Sequence, residues 1–371
     1  MEPVFAFADA LGPAKVIHVH NPAVGLEGVL VIDNVAIGPS IGGLRMAPDV
    51  STEECARLAR AMTLKNAAAG LAHGGGKSAI FADPKMAQAE KERLVRAFAC
   101  ALRGADDYIF GPDMGTDETC MAWVTDEIGR AIGLPRELGG IPLDEIGATG
   151  WGIRHAAEVA LRFRDFAMAG ARVAVQGFGA VGQHAARFLV AEGAVLVAAA
   201  DSGGTITDAR GLDIEALVRL KAAGKTVCDY PHGEKLGRDA VIDVECDIWI
   251  PAARPDVIHA GNADRLNTKL VVEGAYIPIT PDAELRLHNK GILCVPDFIA
   301  NAGGVICAAA EYRGASESDA LAIIQEKLRA NTALVLERAT REGKPPRAVS
   351  MTLALERVQA AMKLRRWSLY Q

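Results

Sequence analysis

Three residues in the first third of the chain are of kinds that move protons or hold anions: Lys65, Lys77 and Asp113. Lys65 falls in a segment that begins Ser51–Thr52–Glu53–Glu54, the form of a helix capping box, and stops at Gly70. Along that helix Leu58, Ala61, Met62 and Ala69 make one apolar stripe at three- and four-residue spacing, and Lys65 lies on it. A lysine on an inward face is costly unless an anion or a reacting group meets it; the plain alternative is a side chain that snorkels to water. Lys77 follows Gly74–Gly75–Gly76 at the mouth of a strand-like run, Ser78–Phe81. The missing side chains would leave space beside it for a bound molecule. Gly76–Lys77–Ser78 mimics the end of a phosphate loop, but that motif needs glycine where Leu71 stands and a strand where this chain has a helix. A nucleotide triphosphatase is thereby set aside. Asp113 ends a short strand, Asp107–Phe110, just before a helix that begins near Asp117. Strand-end loops are where α/β proteins keep their chemistry, although an aspartate between proline and glycine is also a common turn former.

A second constellation lies in the middle of the chain. Gly177, Gly179 and Gly182 form GxGxxG directly after an apolar strand, Arg172–Gln176, and they open a helix. A further strand, Val195–Ala200, ends at Asp201, about 20 residues on. Each part has a physical use. Gly177 allows a tight turn, Gly179 lets a pyrophosphate approach the backbone, and Gly182 lets the helix pack closely, its N-terminus facing the phosphates. Asp201 would accept hydrogen bonds from the adenosine ribose and repel a 2′-phosphate, which favours NAD over NADP. The alternative is a set of purely structural glycines.

The elements that must position these groups alternate along the chain. Strands are expected at Lys15–His20 and Gly28–Asp33, a glycine-paired loop at Gly38–Arg45, and an amphipathic helix at Gln88–Leu102. Gly139–Pro142 reads as a connection between domains, followed by a helix starting near Thr149. Strands at Asp247–Ile250, Leu270–Val272 and Ile292–Val295, with helical segments between, continue a doubly wound α/β pattern. Asn301–Ala302–Gly303–Gly304 opens a long helical region, and from about Ser316 the chain is helical with a pause at Gly343–Pro346. At 371 residues two domains are expected, and a net charge of −6 leaves no basic footprint for nucleic acid. The seven cysteines, at 55, 100, 120, 228, 246, 294 and 307, make no CxxC and no metal spacing. The N-terminal stretch has no signal pattern, and no run approaches the roughly 18 apolar residues of a membrane span. A cytoplasmic protein with no metal and no membrane association is expected.

With these pieces assembled, the sequence resembles the glutamate/leucine/phenylalanine/valine dehydrogenase family over nearly its whole length. The carriers are Gly42–Pro48 (GGLRMAP), Met62–Pro84 with its two lysines twelve apart, Gly111–Glu118 (GPDMGTDE), Gly147–Gly152 (GATGWG), QGFGAVG, and Pro296–Val305 (PDFIANAGGV). The resemblance implies an oxidoreductase that reversibly deaminates an L-amino acid to its 2-oxo acid and ammonia while reducing NAD. It assigns Lys77 and Asp113 to catalysis and Lys65 to the substrate α-carboxylate. Ile41, Gly42, Gly43, Gly111, Val305 and Ala308 would line the substrate. Thr149, Gly177, Phe178, Gly179, Ala180, Val181, Gly182, Asp201 and Asn301 would hold the cofactor. Two cations in a partly dry cleft disfavour each other's charge, so Lys77 would serve as the general base for water attacking an imine. Asp113 would shuttle a proton to and from the amine.

For the side chain of the substrate, family glutamate enzymes place lysine where this chain has Ile41 and serine where it has Ala308. A carboxylate buried there without a partner costs several kcal/mol, so an apolar amino acid is expected, leucine or valine first and phenylalanine or another bulky one next. GPDMGTDETCMAW and IGATGWG instead resemble the glutamate branch, which keeps glutamate as the alternative. Tyr276 departs from the asparagine usual near the nicotinamide ribose. A catalytically silent nucleotide- or amino-acid-binding sensor is the competing class, against which the retention of Lys65, Lys77 and Asp113 argues. The resemblance further implies a catalytic and oligomerisation domain at residues 1–140 with 325–371, and a Rossmann-type NAD-binding domain at 141–324. A cleft between them and a homo-oligomer, as hexamer, octamer or dimer, complete the expectation.

Overall fold

A computed structural model describes residues 7–365, so the first six residues and the last six lie outside it. The chain divides into two compact units and passes between them four times. One contains the residues up to Pro142, Val305–Ala320 and the chain from Met351 on; the other contains Leu143–Gly304 and Leu321–Ser350. The C-terminal return begins earlier than residue 325 and is interrupted: 305–320 lie with the first unit and 321–350 with the second. Glu311 accounts for the early return. Its buried carboxylate accepts the backbone N–H groups of Gly133, Leu134 and Ile141, tying residues 305–320 to the first unit.

The first unit holds β1 (Lys15–Asn21), β2 (Leu26–Asn34), β3 (Ser40–Met46), α1 (Thr52–Ala68), β4 (Gly74–Ile80), α2 (Gln88–Ala101), β5 (Tyr108–Pro112) and α3 (Glu118–Ile128). The sheet order is β1-β2-β4-β3-β5, with β3 parallel to both β4 and β5 and the β1-β2-β4 pairs antiparallel. Period-two alternation on β2 buries both faces. Leu30 and Ile32 join Phe98, Met121 and Val124 of α2 and α3, while Val29 and Val31 join Cys55 and Ala59 of α1.

Two sequence expectations fail here for one reason. The glycine-paired loop Gly38–Arg45 is largely strand β3, and the Gly74–Gly76 cluster opens strand β4 instead of preceding it. A Cβ at Gly42 would overlap the Gly76 carbonyl, one at Gly75 the backbone of Thr63, and one at Gly76 the ring of Tyr108. These glycines let strands and helix approach, so the space beside Lys77 does not come from them. The helix stripe also shifts. The inward face of α1 is Cys55, Ala59, Thr63 and Asn66, with Leu58 and Met62 half-covered and Ala61 exposed. Small residues seat the helix on Gly75; Lys65 is buried nonetheless.

The second unit contains α4 (Ala148–Ala160), β6 (Arg172–Gln176), α5 (Ala180–Ala191), β7 (Val195–Asp201), β8 (Gly204–Thr207), α6 (Ile214–Ala222), β9 (Glu234–Leu236), β10 (Ile248–Pro251), β11 (Leu270–Val272), α7 (Pro281–Asn289), β12 (Leu293–Val295) and α8 (Asp297–Ala300). Its sheet runs β12-β11-β10-β6-β7-β8-β9. The five strands from β12 to β7 are parallel, and the order reverses on either side of β6, as in a Rossmann-type fold. β8 and β9 extend the edge antiparallel. The C-terminal helices are α9 (Gly303–Tyr312), α10 (Glu317–Glu342) and α11 (Pro346–Leu364). Among the described residues no helix is long and apolar enough to cross a membrane, and no cluster of His, Cys, Asp and Glu could hold a metal ion.

Candidate functional site

In the first unit Ile41, Gly43, Arg45, Gly75 and Lys77 lie on the sheet face that α1 covers, because they alternate in register along β3 and β4. The capping box at Ser51, whose hydroxyl accepts the Glu54 N–H, fixes where α1 starts. Thr63 seated on Gly75 fixes its height. Lys65, two residues on, is only 5% exposed.

Asp113 meets Lys77. Its Oδ2 lies 2.5 Å from Lys77 Nζ and accepts from Arg45 Nε at 2.9 Å. Arg45 in turn bonds Glu54 at 2.5 Å. Burial pushes the Asp113 carboxyl up, but the Lys77 charge and the hydrogen bonds from Lys77 and Arg45 outweigh burial and hold it below its ordinary value. The space beside this pair belongs to Gly43, where a Cβ would stand 2.7 Å from Asp113 Cβ and 3.2 Å from Lys77 Nζ. Gly111 follows on the neighbouring strand, pairing with Gly43. The Asp113 turn is tied down by Thr116, whose hydroxyl accepts the Asp113 N–H and donates to the Leu44 carbonyl. Sequence reasoning missed Arg45 as a functional residue although it lies inside a quoted motif. An arginine four residues past Ile41 on the same strand face as Lys77 was the available signal. Val305 and Ala308 lie on α9, in the part that belongs to this unit.

The second unit gathers the other group at the carboxyl end of β6. Gly177 has φ +98°, and a Cβ there would stand 2.6 Å from Ala253 N. Nothing lies within 4 Å of a Cβ built on Gly179, the N-cap of α5, so the backbone there is open at a helix N-terminus of the kind that accepts phosphate. At Gly182 a Cβ would overlap the Gly177 carbonyl, so the helix packs close. Of the three, Gly179 leaves open space, while Gly177 and Gly182 serve the turn and the close packing of the helix. Phe178 enters differently from Ala180 and Val181: its side chain is buried and its N–H donates to the Ala200 carbonyl, leaving it a packing role. Asn301, buried on the turn after α8, donates weakly to the Gly274 and Ala275 carbonyls, and its Oδ1 has no partner. Such an orphaned buried acceptor suits a ligand's amide N–H. Thr149 Oγ1 stands 3.3 Å from a Cβ built on Gly304.

Beyond these residues, Tyr276 is 61% exposed and precedes Ile277, a β-branched residue at φ +44°. The Ile277 N–H donates to Asp297, which with Glu273 and Glu284 surrounds Arg347. Burial pushes the Glu273 carboxyl up to about 8, Arg347 opposing and the neighbouring carboxylates adding to it.

Known proteins resemble both units of the chain. Residues 139–366 match the family model described as Glutamate/Leucine/Phenylalanine/Valine dehydrogenase, and residues 13–130 match the Glu/Leu/Phe/Val dehydrogenase dimerisation domain. The chain is 38% identical over 357 residues to a glutamate dehydrogenase of Aeropyrum pernix, covering 90% of this chain and 85% of that one. It is 34% identical over 381 residues to an NADP-specific glutamate dehydrogenase of Saccharolobus shibatae, covering 95% and 90%. Its fold is similar to the leucine-bound structure of a hetero-hexameric glutamate dehydrogenase from Thermus thermophilus, with a TM-score of 0.82 and 32% identity over 97% of this chain and 91% of that one.

Proposed function

The chain belongs to the glutamate/leucine/phenylalanine/valine dehydrogenase family, and from that premise we propose that it interconverts an L-amino acid with its 2-oxo acid and ammonia. The observation that carries the reading is the Asp113–Lys77 contact, held by Arg45 on a glycine-cleared strand face. A carboxylate kept ionised beside a lysine would accept a proton from the substrate ammonium; the imine left when the α-hydrogen departs as hydride would then be attacked by water, whose proton goes to Lys77 once that lysine has passed its own proton on. Lys65 would hold the substrate α-carboxylate by a charge-assisted hydrogen bond. Arg45 aims Asp113 without itself reacting. The nicotinamide dinucleotide, NAD or NADP, supplies the hydride acceptor when bound. Gly177, Gly179, Gly182 and Asn301 would receive it, with Asp201 toward the ribose.

For the amino acid, the relatives' names support glutamate, and none of them supports the apolar preference expected from Ile41 and Ala308. Apolar substrates stay as a second reading because of one observation. If Lys65 takes the α-carboxylate, then Lys77 and Arg45 both face Asp113, and buried Ile41 offers a side-chain carboxylate nothing. Self-association is inferred from the family model that covers 13–130.

The test is oxidation of NADH and NADPH in the presence of ammonia with 2-oxoglutarate, 2-oxoisocaproate, 2-oxoisovalerate, phenylpyruvate and indolepyruvate. Turnover with 2-oxoglutarate above the others supports the glutamate reading; an apolar acid in first place supports the second. No turnover with any would refute the dehydrogenase reading and favour a sensor.

A further inference from the structure

Asp201 stands at the end of β7, where a free carboxylate would repel a phosphate on the adenosine ribose. In this chain it is not free. Its Oδ1 accepts the Gly203 N–H at 2.8 Å, and its Oδ2 accepts from Lys221 Nζ at 2.6 Å and from the Val227 N–H at 3.0 Å. The Asp201 side chain is 7% exposed, and Lys221, reaching over from the last turn of α6, is 23% exposed. A carboxylate offers about four acceptor positions, and three are already taken. Asp201 therefore has room for one ribose hydroxyl and cannot grip both. Its charge is also cancelled at contact distance, so the repulsion on which NAD selectivity usually depends is largely removed.

We propose that Lys221 sets the cofactor selectivity of this protein, and that by neutralising Asp201 it lets the site accept 2′-phosphorylated as well as unphosphorylated nicotinamide dinucleotides. The lysine has a second use in the same place. Its ammonium is partly exposed on a flexible stem and carries three donors, so it exchanges Asp201 for a phosphate oxygen without losing a charged partner. The proposal rests on the reading of the second unit as a dinucleotide-binding unit and names what that unit selects.

The experiment is direct binding of NADH and of NADPH to the full-length protein, followed by nicotinamide fluorescence and requiring no turnover. Wild type is expected to bind the two within about tenfold of each other, because a neutral pair discriminates weakly. Lys221→Met exposes the Asp201 charge and should weaken NADPH relative to NADH by about tenfold or more, the effect of one unscreened like charge. Lys221→Arg keeps the charge and should keep the wild-type ratio. Should the methionine variant not fold, Lys221→Gln gives the same comparison while retaining a donor toward Asp201. A wild type that rejects NADPH by more than about a hundredfold, or an unchanged ratio in the charge-removing variant, overturns the proposal while leaving the dinucleotide reading intact. Binding of neither dinucleotide overturns both.

Discussion

Gly43→Ala is the most informative small change at the amino-acid end of the site. A Cβ there would stand 2.7 Å from Asp113 Cβ, 3.1 Å from the Pro112 carbonyl and 3.2 Å from Lys77 Nζ, where ordinary contact begins at 3.4 Å. Lys77 Nζ is the tip of a flexible chain and yields the missing few tenths of an ångström. Asp113 does not yield in the same way, because its backbone is bonded to Thr116 and its carboxylate to Arg45. Relieving that contact therefore moves Asp113 by about 0.7 Å against Lys77, and misplacement on the scale of 1 Å costs about a hundredfold in rate. Steady-state amination of the best 2-oxo acid should show kcat down by about one to two orders of magnitude, with nicotinamide binding unchanged. Thermal unfolding should move by only a few degrees, since one local overpacking contact costs about 1–3 kcal/mol. Activity within about threefold of wild type would refute the claim that Gly43 clears the space for Asp113 and Lys77. Gly42→Ala is the contrast: its Cβ would overlap the Gly76 carbonyl between strands, and the loss should appear as unfolding.

Other consequences follow from the same geometry. Lys77→Ala should abolish turnover while titration with NADH stays as in wild type; substantial residual turnover would remove Lys77 from the proton-transfer set. Ile41→Lys with Ala308→Ser should raise the rate ratio of 2-oxoglutarate to 2-oxoisocaproate, and an unchanged ratio would show that these positions do not face the substrate side chain. Glu273 is raised to about 8, so the folded state holds its proton above the range where the unfolded chain has lost it. Its contribution to stability is present below the ordinary carboxyl range and is lost as pH rises toward about 8. Glu273→Gln, which mimics the protonated form, should flatten the fall in melting temperature between pH 6 and pH 9, and an equal fall in both proteins would refute a protonated Glu273.

The Rossmann-type core was legible because its signals are local. A β-branched strand, three glycines and a helix follow one another without a gap, and each glycine has the environment its spacing implies. Helix α1 was equally plain in its capping box, yet its inward face was misjudged by one residue. Hydrophobicity pointed to Leu58 and Met62, whereas close seating on Gly75 selects small Ala59 and Thr63. Strand β3 was hidden for a related reason: paired glycines read as a loop unless the neighbouring strand is known to press on them. β8 and β9 are four and three residues long, too short for a periodic signal. Even spacing along β3 puts Arg45 on one face with Ile41, but neither its contact with Asp113 nor the Lys221 partner of Asp201 is legible in the sequence. Each is a contact between elements 68 or 20 residues apart that only the fold brings together.

The most direct test of the dehydrogenase reading follows the hydride itself. L-Glutamate deuterated at the α-carbon, with α-deuterated L-leucine in parallel, is incubated with the protein and each oxidised dinucleotide, and the reduced nicotinamide is analysed by mass spectrometry. One deuterium per reduced nicotinamide from at least one of the two amino acids, absent in Lys77→Ala, is the predicted result. Reduction without deuterium, or no reduction of either dinucleotide with these or with α-deuterated valine and phenylalanine, would contradict it.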